Sequence, residues 1–406
     1  MKLRTILLFI NCVLLIMHCQ FALAQTWEPV GEGIHGVDST YFPILTLCAY
    51  NNKLYVGGYF SSAGKIKTNN IAAWDGEKWD PMQGGVYVTV GALFEYNKFL
   101  FVGGVFSSAG KKPAINIAYW LDTAGAAPRW YYIDKGVGRI EMTDVNGKHL
   151  MLDDGVNAFE EYKGNLYVGG AFTNAGALKV GKIARWNNIH SWSTVGKSMQ
   201  FKDGTYMAPG FEAGHISAMI KYKGRLYVGG EIGGYMDKSL KDIAVWNDTA
   251  FHGLSQVIPE NGPHEISCMA IYDSCLYVGG TFHTNQNYGI AKWDGNKWTV
   301  IEAIQGHGQI NSMTVLNGKL YIGGRFDSIG NKIANNIAVW NGKTIEHVGA
   351  GFLHGGKFKG VVNALCVYKG ELYAGGSFTS SGGKTVMNIA KLNLKGTKPT
   401  SPKSKK

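Results

Sequence analysis

Short apolar runs separated by polar turns recur along the chain, and one of them is written seven times. Leu54-Tyr55-Val56-Gly57-Gly58 has counterparts beginning at Leu100, Leu166, Leu226, Leu276, Leu320 and Leu372, spaced 44 to 66 residues apart. Each copy sits second among four segments. Segment a precedes it, as in Val90–Tyr96, and a two-residue turn such as Asn97-Lys98, Lys163-Gly164 or Asn317-Gly318 leads into segment b, the Leu-x-x-Gly-Gly run. A polar loop then reaches segment c, as in Asn70–Trp74, and Asp75-Gly76 turns the chain into segment d, which carries Trp79. Tight turns between apolar runs of this length predict a four-stranded antiparallel meander. Segments b and c are apolar on successive residues, the pattern of strands buried on both faces. A repeat of this period built from such runs predicts an array of small sheets.

In a propeller each sheet is sandwiched between two neighbours, which supplies burial on both faces. Gly57-Gly58 has no side chains there, so adjacent sheets can approach. Trp74, Trp120, Trp186, Trp246, Trp293 and Trp340 recur at the end of segment c, and they are assigned to packing rather than to ligand binding. Trp27-Glu28-Pro29-Val30-Gly31 reads as a segment d with no a, b or c before it. The last repeat has a (Val361–Tyr368), b (Leu372–Gly376) and c (Asn388–Leu392) but no d. The expected fold is therefore all-β: a seven-bladed β-propeller of four-stranded antiparallel blades. Its N-terminal strand would complete the last blade and close the ring, removing the exposed edges of an open array.

The double glycine ending segment b and the Trp in c and d resemble kelch-type propellers. The copy Leu372-Tyr-Ala-Gly-Gly-Ser-Phe-Thr-Ser-Ser-Gly-Gly383, followed by Asn388-Ile-Ala-Lys-Leu392, is similar to the delta-60 repeat of bacterial surface proteins and to repeats of the fungal cortical marker for cell polarity. The resemblance covers nearly all of residues 26–394 and implies an extracytoplasmic propeller. It carries over no catalytic residue, since those families share structural repeats. The copies depart from the pattern at Glu231-Ile232, where Phe is expected, and at Leu392, where Trp is expected.

The two ends read differently from the core. Lys2 and Arg4, the apolar run Ile6–Met17 and the small-residue site Ala22-Leu23-Ala24 predict a signal peptide over 1–24. The propeller is expected over 25–394 and a disordered Lys-rich tail over 395–406. No later stretch is apolar enough to span a membrane. The net charge of +11 shrinks in the core, where 33 basic residues face 29 acidic ones, and that balance is no nucleic-acid footprint. Four of the six Cys lie outside the signal: Cys48, Cys268, Cys275 and Cys366. None has metal-ligand spacing, and Cys268 is out of register with Cys275 across the turn Asp273-Ser274. All four read as buried small residues without a disulfide.

The a–b turns and most c–d turns are short, whereas the b–c loops and d–a connections are long and share one face. Any ligand is expected on that long-loop face, because two-residue turns offer too little backbone to shape a pocket. The longest connection, Trp130 to Val156, contains Ile140–Val145, the turn Asn146-Gly147 and Lys148–Leu152, which predict an extra hairpin. His215, His264 and His307 stand just ahead of segment a in consecutive repeats. They are the candidate ligand or metal residues; the plainer alternative is loop histidines facing solvent. Asn157, Ser217, Ser267, Asn311 and Asn363 recur inside segment a and are expected to line a polar, hydrated channel. Asp153-Asp154 and Glu160-Glu161 read as a solvated acidic face. Phosphate loops, EF-hand calcium loops and nucleophile elbows are missing from the sequence.

These features predict a non-catalytic, exported binding or scaffold propeller, monomeric, with a protein or glycan partner at the cell surface. No catalytic residue, cofactor or nucleic-acid partner is expected, and the metal is left unknown. The alternative is a glycan-active or metal-dependent enzyme using the same loop face, which would need acid, base or metal ligands converging on one pocket.

Overall fold

A computed structural model describes residues 25–36, 43–122, 127–133, 135–138, 155–187, 191–196, 199–200, 206–207, 210–211, 213–233, 241–254, 265–281, 288–304, 308–330, 332–356 and 358–394. The signal segment, the tail, the hairpin around Asn146-Gly147, His264 and His307 lie outside the described residues.

Each Leu-x-x-Gly-Gly run is the second strand of an antiparallel sheet, and the sheets are numbered here by that run. In the first, Ile44–Tyr50, Lys53–Gly58, Ile71–Trp74 and Trp79–Asp80 pair in chain order. Strand a of the second sheet is longer than its apolar pattern predicts, Val86–Tyr96, because its partner Phe99–Ala109 runs past the double glycine. Several b–c loops fold into two-residue hairpins, such as Ser62–Ala63 with Ile66–Lys67. Among the described residues the one helical segment is the 3-10 turn Met82–Gly84, and no helix is long and apolar enough to cross a membrane.

Five of the six Trp residues of strand c pack, tilted or edge-on, against an aromatic partner in strand d, and Trp340 faces Ile345 instead. Ring centroids are 5.0 Å apart for Trp74–Trp79, 5.1 Å for Trp120–Trp130, 4.9 Å for Trp186–Trp192 and 5.1 Å for Trp293–Trp298. In the fourth sheet Phe251 takes the partner's place, 4.8 Å from Trp246. All of the strand-c Trp are buried, as packing residues should be. In the seventh sheet Thr26–Pro29 pairs antiparallel with Ile389–Asn393 and sets Trp27 opposite Leu392, the register that sets Trp79 opposite Trp74. Leu392 is smaller than Trp, and Phe352 occupies the room by stacking on Trp27 at 4.8 Å and on Phe378 at 4.1 Å.

The two glycines of each pair do different jobs. A Cβ on Gly57 would lie 2.5 Å from Val90 of the second sheet, and one on Gly103 would lie 2.5 Å from Val156 of the third. The pattern continues through Gly169 on Ile216, Gly279 on Ile310 and Gly323 on Val362, and Gly375 of the seventh sheet meets Ile44 of the first at 2.6 Å. The first glycine is thus the socket for a β-branched residue of the next sheet. The second faces its own strand a. A Cβ on Gly58 would overlap the carbonyl of Pro43, and one on Gly376 that of Val361. At this point strand a carries one extra residue, a β-bulge.

Three further kinds of contact join neighbouring sheets at several of the junctions, and none is announced by the apolar pattern. Asn70, Asn116, Asn336 and Asn388, at the entry to strand c, are buried in the left-handed region with φ of 62°, 59°, 75° and 62°. Asn70 Oδ1 accepts from Phe60 N (2.9 Å) and its Nδ2 donates to Val86 O (2.8 Å) of the second sheet. Asn388 does the same with Phe378 N (3.1 Å) and Ile34 O (2.7 Å). The Tyr ending strand a donates to the a–b turn of the following sheet: Tyr50 to Lys98 O (2.6 Å), Tyr96 to Gly164 O (2.8 Å) and Tyr368 to Asn52 O (2.7 Å). The indole of strand d reaches back to the preceding sheet's exit, with Trp79 donating to Gly31 O at 2.8 Å and Trp130 to Met82 O at 2.9 Å.

The four cysteines are free. Tyr272 faces Cys275 and Cys268 faces Gly279, so the two thiols are out of register. Burial pushes the Cys48 and Cys268 thiols far above the usual range and Cys366 up to about 11, which keeps them protonated and unreactive.

Removing the Trp27 indole deletes its stacking on Phe352 and its bond to Val348 O at 3.2 Å. Trp27→Ala is expected to lower unfolding stability by about 3–5 kcal/mol in denaturant titration. A loss under about 1 kcal/mol would show that the N-terminal strand contributes little to the fold.

Candidate functional site

The residue added at each bulge is the one that recurs as polar in the sequence. Register shifts between Val156 and Ala158, Ile216 and Ala218, Ile266 and Cys268, Ile310 and Ser312, and Val362 and Ala364 single out Asn157, Ser217, Ser267, Asn311 and Asn363. The first two sheets carry Leu45 and Gly91 at this position. An unpaired bulge residue is released from the ladder, so its side chain can reach sideways. Asn311 Nδ2 donates to Val362 O (3.3 Å) and to Asn363 Oδ1 (3.0 Å) in the next sheet, and Asn363 Nδ2 donates to Ile44 O (2.8 Å) in the first. Ser312 Oγ accepts from Leu365 N at 3.0 Å. Asn157 is exposed and the other four are half-buried.

Two residues ahead of the bulge, at the end of strand a nearest the b–c loop, the equivalent positions hold His215, Glu265 and Gln309. They pair with Glu231, Thr281 and Arg325, each directly after a double glycine. His215 Nε2 lies 3.3 Å from Glu265 Oε1, and its Nδ1 lies 3.9 Å from Glu231 Oε2. Gln309 Nε2 donates to Ser267 Oγ at 3.2 Å. His264 and His307 lie outside the described residues, one residue before Glu265 and two before Gln309 in the sequence. Strand register, which the sequence alone leaves open, makes Glu265 and Gln309 the counterparts of His215. Among the described residues no group of three or more His, Cys, Asp or Glu is placed to hold a metal ion.

The hydrogen bond to Glu265, joined by the Glu265 and Glu231 charges, holds the His215 imidazole above its ordinary value of 6.5 against the opposing effect of burial. The same hydrogen bond holds the Glu265 carboxyl below 4.5, with Ser217 as a further donor. This chain of paired groups can bind polar ligand groups and can hold or release a proton at His215.

Glu160 departs from the solvated face expected for it. It is half-buried in strand a of the third sheet, and desolvation pushes its carboxyl up to about 7 in spite of Lys221 nearby. Glu161 does face solvent, paired with Lys221 Nζ at 3.0 Å and capping Gly164 N at 2.7 Å. Asp153-Asp154 lies outside the described residues.

The short-turn side carries a cavity of its own. A cavity of about 230 Å³ opens between the second and third sheets, lined by Asn97, Phe99, Phe101, Tyr119, Trp186 and Asn187 among others. Aromatic residues of the strands make up most of its described lining, so turn length gave no sign of it.

The family described as "Domain of unknown function (DUF5122) beta-propeller" matches residues 370–401, and together with the packed four-stranded sheets this makes the chain a β-propeller. No curated protein matches it. Solved structures similar to the chain include the computationally designed Ika8 protein in crystal packing No. 1 in P63, with TM-score 0.43 and 12% identity over 89% of this chain and 99% of that one. Another is the WD40 beta propeller domain of Doa1, with TM-score 0.48 and 11% identity over 91% and 96%.

Two pH dependences follow. The raised His215 contributes stability that is full below its ordinary value of 6.5 and is lost as pH rises through its folded value. The lowered Glu265 contributes stability that is full above 4.5 and is lost as pH falls through its folded value. The pair is therefore strongest between those two pH values, and His215→Gln should lower the melting temperature most there and least in mild alkali. An equal loss at every pH would rule out the ion pair. Glu160 runs opposite to Glu265, because its folded carboxyl keeps a proton that the unfolded chain gives up. Glu160→Gln should raise the melting temperature at about pH 8 and leave it unchanged at about pH 4; no gain at the higher pH would show that the carboxylate is well solvated.

Proposed function

We propose that this chain is an exported, non-catalytic binding or scaffold propeller of seven blades, closed by its N-terminal strand. Its protein or glycan partner would sit on the face of the b–c loops and d–a connections. Three contacts from the seventh sheet to the first support closure, Asn363 with Ile44, Tyr368 with Asn52 and Asn388 with Ile34, beside the pairing of Thr26–Pro29 with Ile389–Asn393 inside the seventh sheet. Each of these three has a counterpart between consecutive sheets elsewhere, such as Asn311 with Val362, Tyr50 with Lys98 and Asn70 with Val86. Export rests on the signal pattern of residues 1–24.

The observation that carries the binding reading is the line of polar side chains at the long-loop end of strand a. His215 with Glu265, Ser267 with Gln309, and Asn311 with Asn363 join successive sheets through hydrogen bonds at related positions. Uncharged amides and hydroxyls dominate it, and the imidazole is held between carboxylates. Such a surface offers donors and acceptors to a polar partner, and its specificity comes from geometry.

The test uses the secreted chain, screened against immobilised cell-surface glycans and against the surface proteins of the producing cells. Ser267→Lys with Asn311→Lys fills the polar line and should weaken capture at least tenfold with the fold intact by circular dichroism. Undiminished capture would remove the loop face as the site, and turnover of the captured partner would remove the non-catalytic reading.

A further inference from the structure

Among the described residues five b–c loops fold into the same tight hairpin. Each turns at a glycine in the left-handed region: Gly64, Gly110, Gly176, Gly330 and Gly382, with φ of 54°, 53°, 57°, 56° and 54°. The residue before each glycine is buried. Two residues after it stands an exposed dipeptide: Ile66-Lys67, Lys112-Pro113, Leu178-Lys179, Lys332-Ile333 or Lys384-Thr385. The sheets that carry them follow one another through the glycine sockets, sixth to seventh, seventh to first, first to second and second to third. Equivalent tips on sheets packed in this order stand along one rim of the long-loop face.

Every tip presents a lysine and none presents an acid. The b–c loops of the seventh, first, second and third sheets, 377–388, 59–70, 105–116 and 171–182, hold seven lysines and no Asp or Glu. Lys65 pairs with Glu32 at 3.1 Å and Lys384 with Glu28 at 2.6 Å, both reaching acids outside these loops. Among the described residues no carboxylate pairs with Lys67, Lys111, Lys112, Lys179 or Lys332. Lysines of the short turns are tied down instead: Lys163 pairs with Asp248 at 2.6 Å, and Lys223 and Lys369 donate to the carbonyls of Asp294 and Asp75 at 2.7 and 2.9 Å.

The same rim leaves large apolar side chains in water beside its lysines. Ile66 and Leu178 are 36% exposed and Ile333 is 65% exposed. The strand pair Leu353–His354 and Phe358–Lys359 joins the seventh hairpin through Leu353 and Ser380, and Phe358 is 72% exposed. Neither packing nor turn geometry requires an aliphatic or aromatic residue at such positions, since Thr385 occupies the equivalent place in the seventh hairpin.

We propose that this rim docks the protein on a bilayer surface rich in anionic phospholipid. Lysines without acid partners gain from the negative potential of the headgroups, and the gain adds over the tips that reach the surface. The apolar tips pass below the headgroups while the neighbouring ammonium groups stay among them, the division of labour that amphipathic surface segments use. An acidic polysaccharide would satisfy the lysines but leave Ile333 and Phe358 in water, so the apolar tips favour lipid. The rim uses side chains other than the polar line of strand a, and its docking does not rest on the protein or glycan reading of that line.

The test is co-sedimentation of the secreted chain, without its signal segment, with vesicles of phosphatidylcholine alone or of phosphatidylcholine and phosphatidylglycerol in equal parts. Binding is expected only to the mixed vesicles and should weaken roughly tenfold between low and physiological salt. Lys67→Glu with Lys112→Glu and Lys179→Glu should weaken it at least tenfold at an unchanged melting temperature. The basic tail is kept in every variant, so binding carried by the tail would show as no loss and would overturn the proposal. Ile333→Ser with Phe358→Ser should weaken vesicle binding several-fold yet leave binding to dextran sulfate, a polyanion without acyl chains, unchanged. No binding to the mixed vesicles would overturn the proposal as well. Equal vesicle binding by the serine variant and the parent would assign the rim to an acidic polymer instead of a membrane.

Discussion

The structure depends on a packing constraint at the double glycine. Two sheets can approach only where one of them has no side chain, and the partner fills that gap with a β-branched residue, as Val90 does on Gly57 and Ile44 on Gly375. The second glycine accepts the bulge in its own sheet, because a Cβ there would collide with a strand-a carbonyl. The two conditions are linked: the bulge follows directly on the β-branched residue that enters the neighbour's socket. A single dipeptide therefore sets the inter-sheet distance, the direction of strand a and the identity of the residue released from the ladder. In five of the seven sheets that released residue is polar. Packing and candidate chemistry thus share an origin.

Much of this was legible in the residues. The four-segment division, the Trp at the end of c, the free cysteines and the missing fourth strand of the last repeat all follow from periodicity, which is a property of the chain itself. The polar residues of segment a were visible as a recurrence, but their placement at a bulge was not, since a bulge is a mismatch between two strands and neither strand shows it alone. For the same reason His215, His264 and His307 look equivalent by distance from segment a, while strand pairing makes His215 the counterpart of Glu265 and Gln309.

The inter-sheet bonds escaped for a different reason. Asn70 and its counterparts read as ordinary polar residues opening segment c, yet they are buried because a left-handed backbone turns their amides inward. One Asn satisfies a backbone donor in its own sheet and a carbonyl in the next, which offsets the cost of burying the amide. Where the third sheet has Lys182 instead, with φ of 66°, its ammonium donates to Ala171 O at 2.7 Å. The backbone demand persists and the side-chain solution changes.

A repeat also serves as its own control. Positions that differ among copies under the same packing demand are released from it, and the difference calls for a local explanation. Charge at the outer rungs of strands b, c and d costs little, because an exposed pair such as Lys319–Glu346 stays solvated. Replacing such rungs with Phe99, Tyr119 and Tyr131 exchanges groups that water would satisfy for apolar surface that it would not. Stacking among the rings recovers part of that loss, but charged rungs would have met the same structural need without it. The rings of the second sheet satisfy one another across strands b, c and d, Phe101 on Tyr119 and Tyr119 on Tyr131, where other copies rely on ion pairs and solvent.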